Sequence, residues 1–285
     1  MNPSEMLPQK KLDKGQWWGD PWGLVQGCTP VSPGCDNCWL TAMRRRFGQD
    51  DGEVHVREDK LTIPPKRKKP TVFTIWSDLG HEAVPTHFIQ NVFRTIEACP
   101  QHLFIVLTKR PERMTGEMLC WHEGCAQPIL PNLWLYTSAE NQEQFGIRVP
   151  HLLKCPAAVR GVSLSPLLGP IDMSRIVESD DWLLEPLDDW LLEPLTGGWT
   201  DCSGDQGCGR QDDLRLDHII TECESGPNRR PCDEAWVKDI ISQCDAAGVP
   251  PWVKQMSING KVSHDMSEWP KWARRREWPQ NGEQA

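Results

Sequence analysis

Three cysteines in one short loop offer the strongest chemistry in this chain of 285 residues. They stand in the run Gly27-Cys28-Thr29-Pro30-Val31-Ser32-Pro33-Gly34-Cys35-Asp36-Asn37-Cys38. Thiolates are soft ligands suited to iron–sulfur clusters and to zinc. The spacing of Cys35 and Cys38 lets two sulfurs reach one metal site from a single turn, and Pro30, Pro33 and Gly34 stiffen and bend the connection back to Cys28. A [4Fe–4S] cluster normally takes four protein thiolates. Three leave one iron open to a substrate or cofactor. A structural zinc ion needs a fourth ligand, and neither His nor Cys occurs between Cys38 and His55. The cluster is the better reading, with zinc completed by a distant ligand as the alternative.

A second set is Cys120 and Cys125, with Cys202 and Cys208 in a stretch rich in Gly and Asp, residues 197–213. Four such ligands in two pairs could hold a structural zinc ion tying two loops together, although neither pair has the two-residue spacing of a zinc knuckle. The alternative is ordinary loop thiols. Cys99, Cys155, Cys223 and Cys244 sit alone in apolar or helical contexts and are expected as buried free thiols.

No apolar run approaches the length that spans a bilayer, and residues 1–18 have no signal-type apolar stretch. The expectation is a cytoplasmic protein with no membrane partner, in which clustered cysteines bind metal rather than form disulfides. The formal charge of −9 argues against a surface coated in phosphate contacts. Local basic runs remain at Arg44-Arg45-Arg46, Lys66-Arg67-Lys68-Lys69, Lys109-Arg110, Arg229-Arg230 and Arg274-Arg275-Arg276, and leave room for a basic groove.

The elements that must position these residues alternate in type. Strands are expected over residues 71–77, 103–108, 133–137, 157–163, 218–222 and 251–254, with a weak opening run at 22–25. Helices are expected over 86–98 and 232–247. Strands alternating with helices imply parallel pairing through βαβ crossovers. The predicted fold is therefore α/β, a complete or partial β/α barrel, with a doubly wound sheet as the alternative. In either, function gathers where strands end. Those ends read Ser77-Asp78, Thr108-Lys109-Arg110, Ser138-Ala139-Glu140-Asn141, Ser163-Leu164-Ser165 and Glu222-Cys223-Glu224-Ser225. The heptapeptide DWLLEPL occurs twice, at 181–187 and 189–195; two copies are too few for a solenoid. The division expected is a β/α domain over 1–256, with a loop insertion over about 178–213, and a C-terminal appendage over 257–285.

Several segments together resemble the three-cysteine-motif proteins of phages and prophages, a radical-SAM-like family long described as of unknown function. They are the cysteine run, Ser77-Asp78-Leu79 with His81-Glu82 and Val84-Pro85, the stretch Leu107-Thr108-Lys109-Arg110-Pro111-Glu112-Arg113-Met114, then Pro131-Asn132-Leu133-Trp134-Leu135, Ser165-Pro166-Leu167-Leu168-Gly169-Pro170, Glu224-Ser225-Gly226-Pro227 and Ala246-Ala247-Gly248-Val249-Pro250 with Lys254-Gln255. The match runs in order over roughly residues 17–256. It departs from the pattern in having Trp39 where the family has Tyr, and Glu222-Cys223 where the family often has two glycines before Glu224. The six-and-two cysteine spacing also differs from the three-and-two of most radical-SAM enzymes.

The resemblance implies a barrel of radical-SAM type and an enzyme in which Cys28, Cys35 and Cys38 hold three irons of a [4Fe–4S] cluster. The open iron would chelate S-adenosylmethionine, whose cleavage releases a 5′-deoxyadenosyl radical that takes hydrogen from a substrate. Among the strand-end residues, Asp78, Arg110, Ser138, Glu140, Asn141, Ser165 and Ser225 are the candidates for cofactor contact, and Lys109, Glu224 and Lys254 for catalysis. The partners implied are a flavodoxin or ferredoxin as electron donor and DNA carrying a modified base. Thymine hypermodification, by rearrangement of an amino-acid adduct on the base, is the isomerase-type reaction expected. Two alternatives are a non-catalytic zinc- or cluster-binding module for nucleic acid or a protein partner, and a DNA photoproduct lyase.

Overall fold

In the computed structural model the described residues are 2–48, 53–124, 129–174, 176–177, 190–193, 195, 198–201 and 215–279. The apolar runs form one eight-stranded sheet: β1 Asp20–Pro21, β2 Val72–Ile75, β3 Leu103–Thr108, β4 Leu133–Ser138, β5 Val159–Leu164, β6 His218–Glu222, β7 Pro251–Ile258 and β8 Lys261–Ser263. The first seven pair in parallel and β8 returns antiparallel to β7. Their order in space is their order in the chain. A doubly wound sheet reverses its strand order at a switch point; this one never does.

Helices α1 Trp39–Arg46, α2 Thr86–Glu97, α3 Pro111–Leu119, α4 Gln142–Leu153 and α5 Glu234–Ala247 accompany the sheet. Apolar residues recur along α2 at Phe88, Ile89, Val92, Phe93 and Ile96, all buried, which is the stripe of a helix laid on a sheet. The helices α2 to α5 bury such stripes in a single cluster with Phe73, Ile75, Phe104, Val106, Leu133, Leu135 and Val162. Alternate strand residues point the other way. Val72, Leu103, Ile105, Trp134, Tyr136, Val159, Ile220 and Trp252 meet Leu7 and Trp17 there, so the second face is covered by the N-terminal segment rather than by helices of its own crossovers.

That segment also crosses from the last parallel strand to the first. The Trp252 indole donates to the Gly15 carbonyl at 2.9 Å, and five residues later β1 pairs with β2. Gly15 has φ +72°, and a Cβ there would stand 2.3 Å from the Lys254 carbonyl oxygen, so the crossing needs glycine.

Within the stretch expected as an appendage, residues 257–279 extend the sheet and contribute to the core. β7 runs on to Ile258, turns through Asn259 and Gly260 at positive φ, and returns as β8. Arg276 then bridges to Trp252, and its guanidinium donates to the Leu12 and Asp13 carbonyls at 3.0 and 2.8 Å. Trp269 is buried and Trp278 packs on Trp252 with ring centroids 4.7 Å apart. A tryptophan-rich, charged sequence reads as surface, but here Trp269 is buried and Trp272 and Trp278 are half-buried.

Ile176–Val177, Trp190–Glu193 and Gly198–Asp201 form a separate antiparallel sheet, with the second copy of the heptapeptide supplying its central strand. The first copy, and Cys125, Cys202 and Cys208 of the expected zinc set, lie outside the described residues. Cys120 is exposed. Among the described residues no helix is long and apolar enough to cross a membrane.

Candidate functional site

A cavity of about 530 Å³ opens at the C-terminal ends of the parallel strands. Cys28, Cys35 and Cys38 line one side of it. Of the residues expected at the site, Asp78, Lys109, Ser138, Ser165, Glu224, Ser225 and Lys254 also line it, and Arg110, Glu140 and Asn141 do not. Asn141 caps α4, its side chain accepting from the Gln144 amide at 2.9 Å, an ordinary helix start.

Arg110 and Glu140 act on the cysteine loop from behind, in two of three ionic clamps. At the first, Arg110 pairs with Asp78 at 2.7 Å and donates to the Thr29 hydroxyl and carbonyl at 2.8 and 3.3 Å. Thr108 donates to the same Asp78 carboxylate. At the second, the Gly34 amide donates to Glu140 at 2.9 Å, and Arg148 holds the other oxygen at 3.0 Å. A Cβ on Gly34 would meet the Glu140 carboxyl carbon at 2.8 Å, so only glycine permits this approach. At the third, Arg230 binds Glu224 at 2.6 Å and reaches the Pro33 carbonyl and Asp36 at 2.9 and 3.2 Å, while Asn37 donates to Glu224 at 3.1 Å. Each clamp joins a strand end to a residue one or two positions from a cysteine. Together they hold the loop beside each thiol, and on both sides of Cys35.

Much of the remaining lining is aromatic. Trp17, Trp18, Trp39 and Trp76 line the cavity, with Trp18 and Trp76 edge to face at 5.1 Å. Lys254 lies over the Trp18 ring at 4.9 Å and pairs with Glu222. Below Trp17, the Tyr136 hydroxyl meets His218 Nδ1 at 2.7 Å, and His218 Nε2 meets the Glu277 carbonyl at 2.8 Å. A carbonyl only accepts, so Nε2 carries the proton and Nδ1 receives the Tyr136 hydroxyl. Burial pushes His218 down to about 3 and Tyr136 well above its ordinary value, so both are neutral. Gly161 leaves room for the Tyr136 ring, which a Cβ would meet at 2.1 Å.

Burial, then the nearby Asp78 carboxylate, raises the Cys28 thiol. A thiolate there therefore needs a compensating cation, which a metal centre supplies. Among the described residues no group of three or more His, Cys, Asp or Glu side chains is arranged to hold a single metal ion. Three partly exposed thiols facing one cavity, on a loop clamped from behind, nevertheless have the donor chemistry of an iron–sulfur site. The Ser165 hydroxyl is buried at the cavity wall without a hydrogen-bond partner in the protein, which leaves it for a ligand.

The model of a family described as a protein of unknown function, DUF5131, matches residues 13–281. The chain belongs to the DUF5131 family. No curated protein and no solved structure matches it. The DUF5131 match takes in the cysteine loop, every strand of the main sheet, the gap-crossing residues from Asp13 onward and the C-terminal strand pairing through Arg276. The closing segments thus fall within the DUF5131 match, along with the cavity.

Sequence reasoning missed the tryptophan wall of this DUF5131 chain, because tryptophan in an apolar context signals core. It also treated Cys223 only as a buried thiol. Cys223 is buried, and stands in the cavity wall with its thiol pushed up to about 11 by burial and then by Glu222. Its place immediately after β6, beside Glu224, was the available signal.

Proposed function

We propose that this chain is a radical S-adenosylmethionine enzyme of phage type, with Cys28, Cys35 and Cys38 holding three irons of a [4Fe–4S] cluster. The observation that carries the reading is that all three cysteines of the loop face one cavity at the strand ends of a singly wound parallel sheet. That strand order fits the partial β/α barrel expected of such enzymes. When bound, the cluster and S-adenosylmethionine supply reductive cleavage of the sulfonium and a carbon radical that abstracts hydrogen.

The protein's own residues bind, orient and exclude water. The clamps at Asp78–Arg110, Glu140–Arg148 and Glu224–Arg230 keep the loop in one arrangement, so that thiolates are presented without reorganisation. Ser138, Ser163 and Ser165 offer hydroxyls to polar ligand groups, and Lys109 offers an ammonium to an anionic one. Lys254 with Glu222 forms a charge pair against Trp18 on the far side, suited to hold a substrate and to move a proton at the Lys254 ammonium. The tryptophan wall suits a planar ring, which supports a nucleobase substrate, with thymine hypermodification in DNA as the proposed context. A base must then be flipped out or single-stranded to enter.

Anaerobic reconstitution tests this reading. The expected result is about four irons and four sulfides per chain, and slow release of 5′-deoxyadenosine on reduction with S-adenosylmethionine. A colourless protein that binds only zinc, or a full reducible cluster without 5′-deoxyadenosine, would favour a binding module instead.

A further inference from the structure

An apolar stripe runs along α1 and into the turn that follows it. Trp39, Met43 and Phe47 are 56, 42 and 66% exposed, and positions four apart lie on one side of a helix. Of the six large hydrophobic side chains exposed among the described residues, these three and Val31 belong to the cysteine loop and the helix that follows it. A scattered surface leucine needs no explanation, but a concentrated patch does. Trp39 directly follows Cys38 and also lines the cavity, edge to face with Trp76 at 6.3 Å. Phe47, in the turn just after α1, still donates its amide to the Met43 carbonyl at 3.2 Å, which places it only about 12 Å further along.

Resting on the cluster reading above, we infer that this stripe is the docking site of a small acidic one-electron carrier protein. Size decides against a second copy of the chain. The three side chains expose on the order of 300 Å², so a symmetric pair would bury far less than the ~1,600 Å² of a stable interface, whereas transient electron-transfer contacts occupy the low end of the range. Charge agrees with an acidic partner. The helix α1, WLTAMRRR, holds no carboxylate, and while Arg44 is buried at the cavity, Arg46 is exposed beside the stripe. In the step itself one electron leaves the reduced carrier, which is oxidised by one electron, and enters the cluster, which is reduced by one. No bond forms or breaks.

The test uses the full chain with its reconstituted cluster, flavodoxin and ferredoxin as probes, and the double variant Met43→Gln/Phe47→Gln. Neither residue lines the cavity. Calorimetric titration at low salt should show binding of at least one carrier, weakened tenfold or more by the double substitution and by 0.5 M salt. Iron content, and 5′-deoxyadenosine release driven by dithionite, should stay at parent levels. Equal binding by parent and variant, or no binding of either carrier to the parent, overturns the inference. So does a variant that keeps carrier binding but loses affinity for a single-stranded oligonucleotide, which would make the stripe a base-stacking platform. Failure of the cluster reading looks different: the parent itself then holds no iron or releases nothing with dithionite.

Discussion

At the scale of single residues, the cysteines divide by surroundings. Replacing Cys28, Cys35 or Cys38 by Ala should remove most iron and sulfide from reconstituted protein, measured by colorimetric assay. Cys223→Ala should keep the full cluster although Cys223 stands in the same cavity, because it sits after β6 and not on the clamped cysteine loop; loss of iron there would make it a fourth ligand. His218 gives a pH test. It is neutral when folded down to about 3 but takes a proton near 6.5 when unfolded. Stability from this residue is present above that value and is lost as pH falls below it. Denaturant unfolding should show a loss of about 1 kcal/mol per unit between roughly pH 6 and 4, and His218→Gln should flatten the curve over that window. The cysteine trio was legible because glycine and proline around close thiols leave few structural uses. Asn141 was legible as a strand-end polar residue, but the helix starting after it claims its side chain.

At the scale of elements, the loop depends on partners far away in sequence. Gly34 meets Glu140 across 106 positions and Asn37 meets Glu224 across 187, and no local pattern predicts such pairings. Strands were legible as short apolar runs between polar ends, since a parallel strand is buried on both faces. Their closing neighbours, β8 and the stretch through Arg276, were not, because exposed-looking composition hides the buried Trp269. Glu140 and Arg148 are almost fully buried. Burial raises the Glu140 carboxyl, but the Ser32 side chain, the Gly34 amide and the Arg148 charge outweigh it and leave it below its ordinary value. Glu140→Gln leaves a buried guanidinium uncompensated and should cost about 3–5 kcal/mol in urea unfolding. Glu224→Gln keeps its shape in a more exposed clamp. It should cost about 1–3 kcal/mol in the same assay while slowing cluster loading, read as the rate of colour development. In the strand pair below, Gly161→Ala drives a methyl into the Tyr136 ring and should cost about 1–3 kcal/mol, visible as a lowered Tm.

At the scale of the whole molecule, a sheet wound in one direction leaves its first and last strands apart, and the chain fills that gap with its own early residues. Deleting residues 2–18 should expose the face carrying Trp134, Tyr136 and Trp252, and yield protein that binds a hydrophobic dye and lacks sharp near-ultraviolet dichroism. The tie between Arg276 and the carbonyls of Leu12 and Asp13 spans 264 and 263 positions. On the ribosome this means that residues 12 and 13 must wait for residue 276. Until residue 276 has cleared the exit tunnel, the N-terminal cover over the inner face lacks this tie. Cluster insertion is thereby coupled to synthesis through residue 276. Stalled chains ending near residue 256 should take up less iron, and extension past residue 276 should restore it.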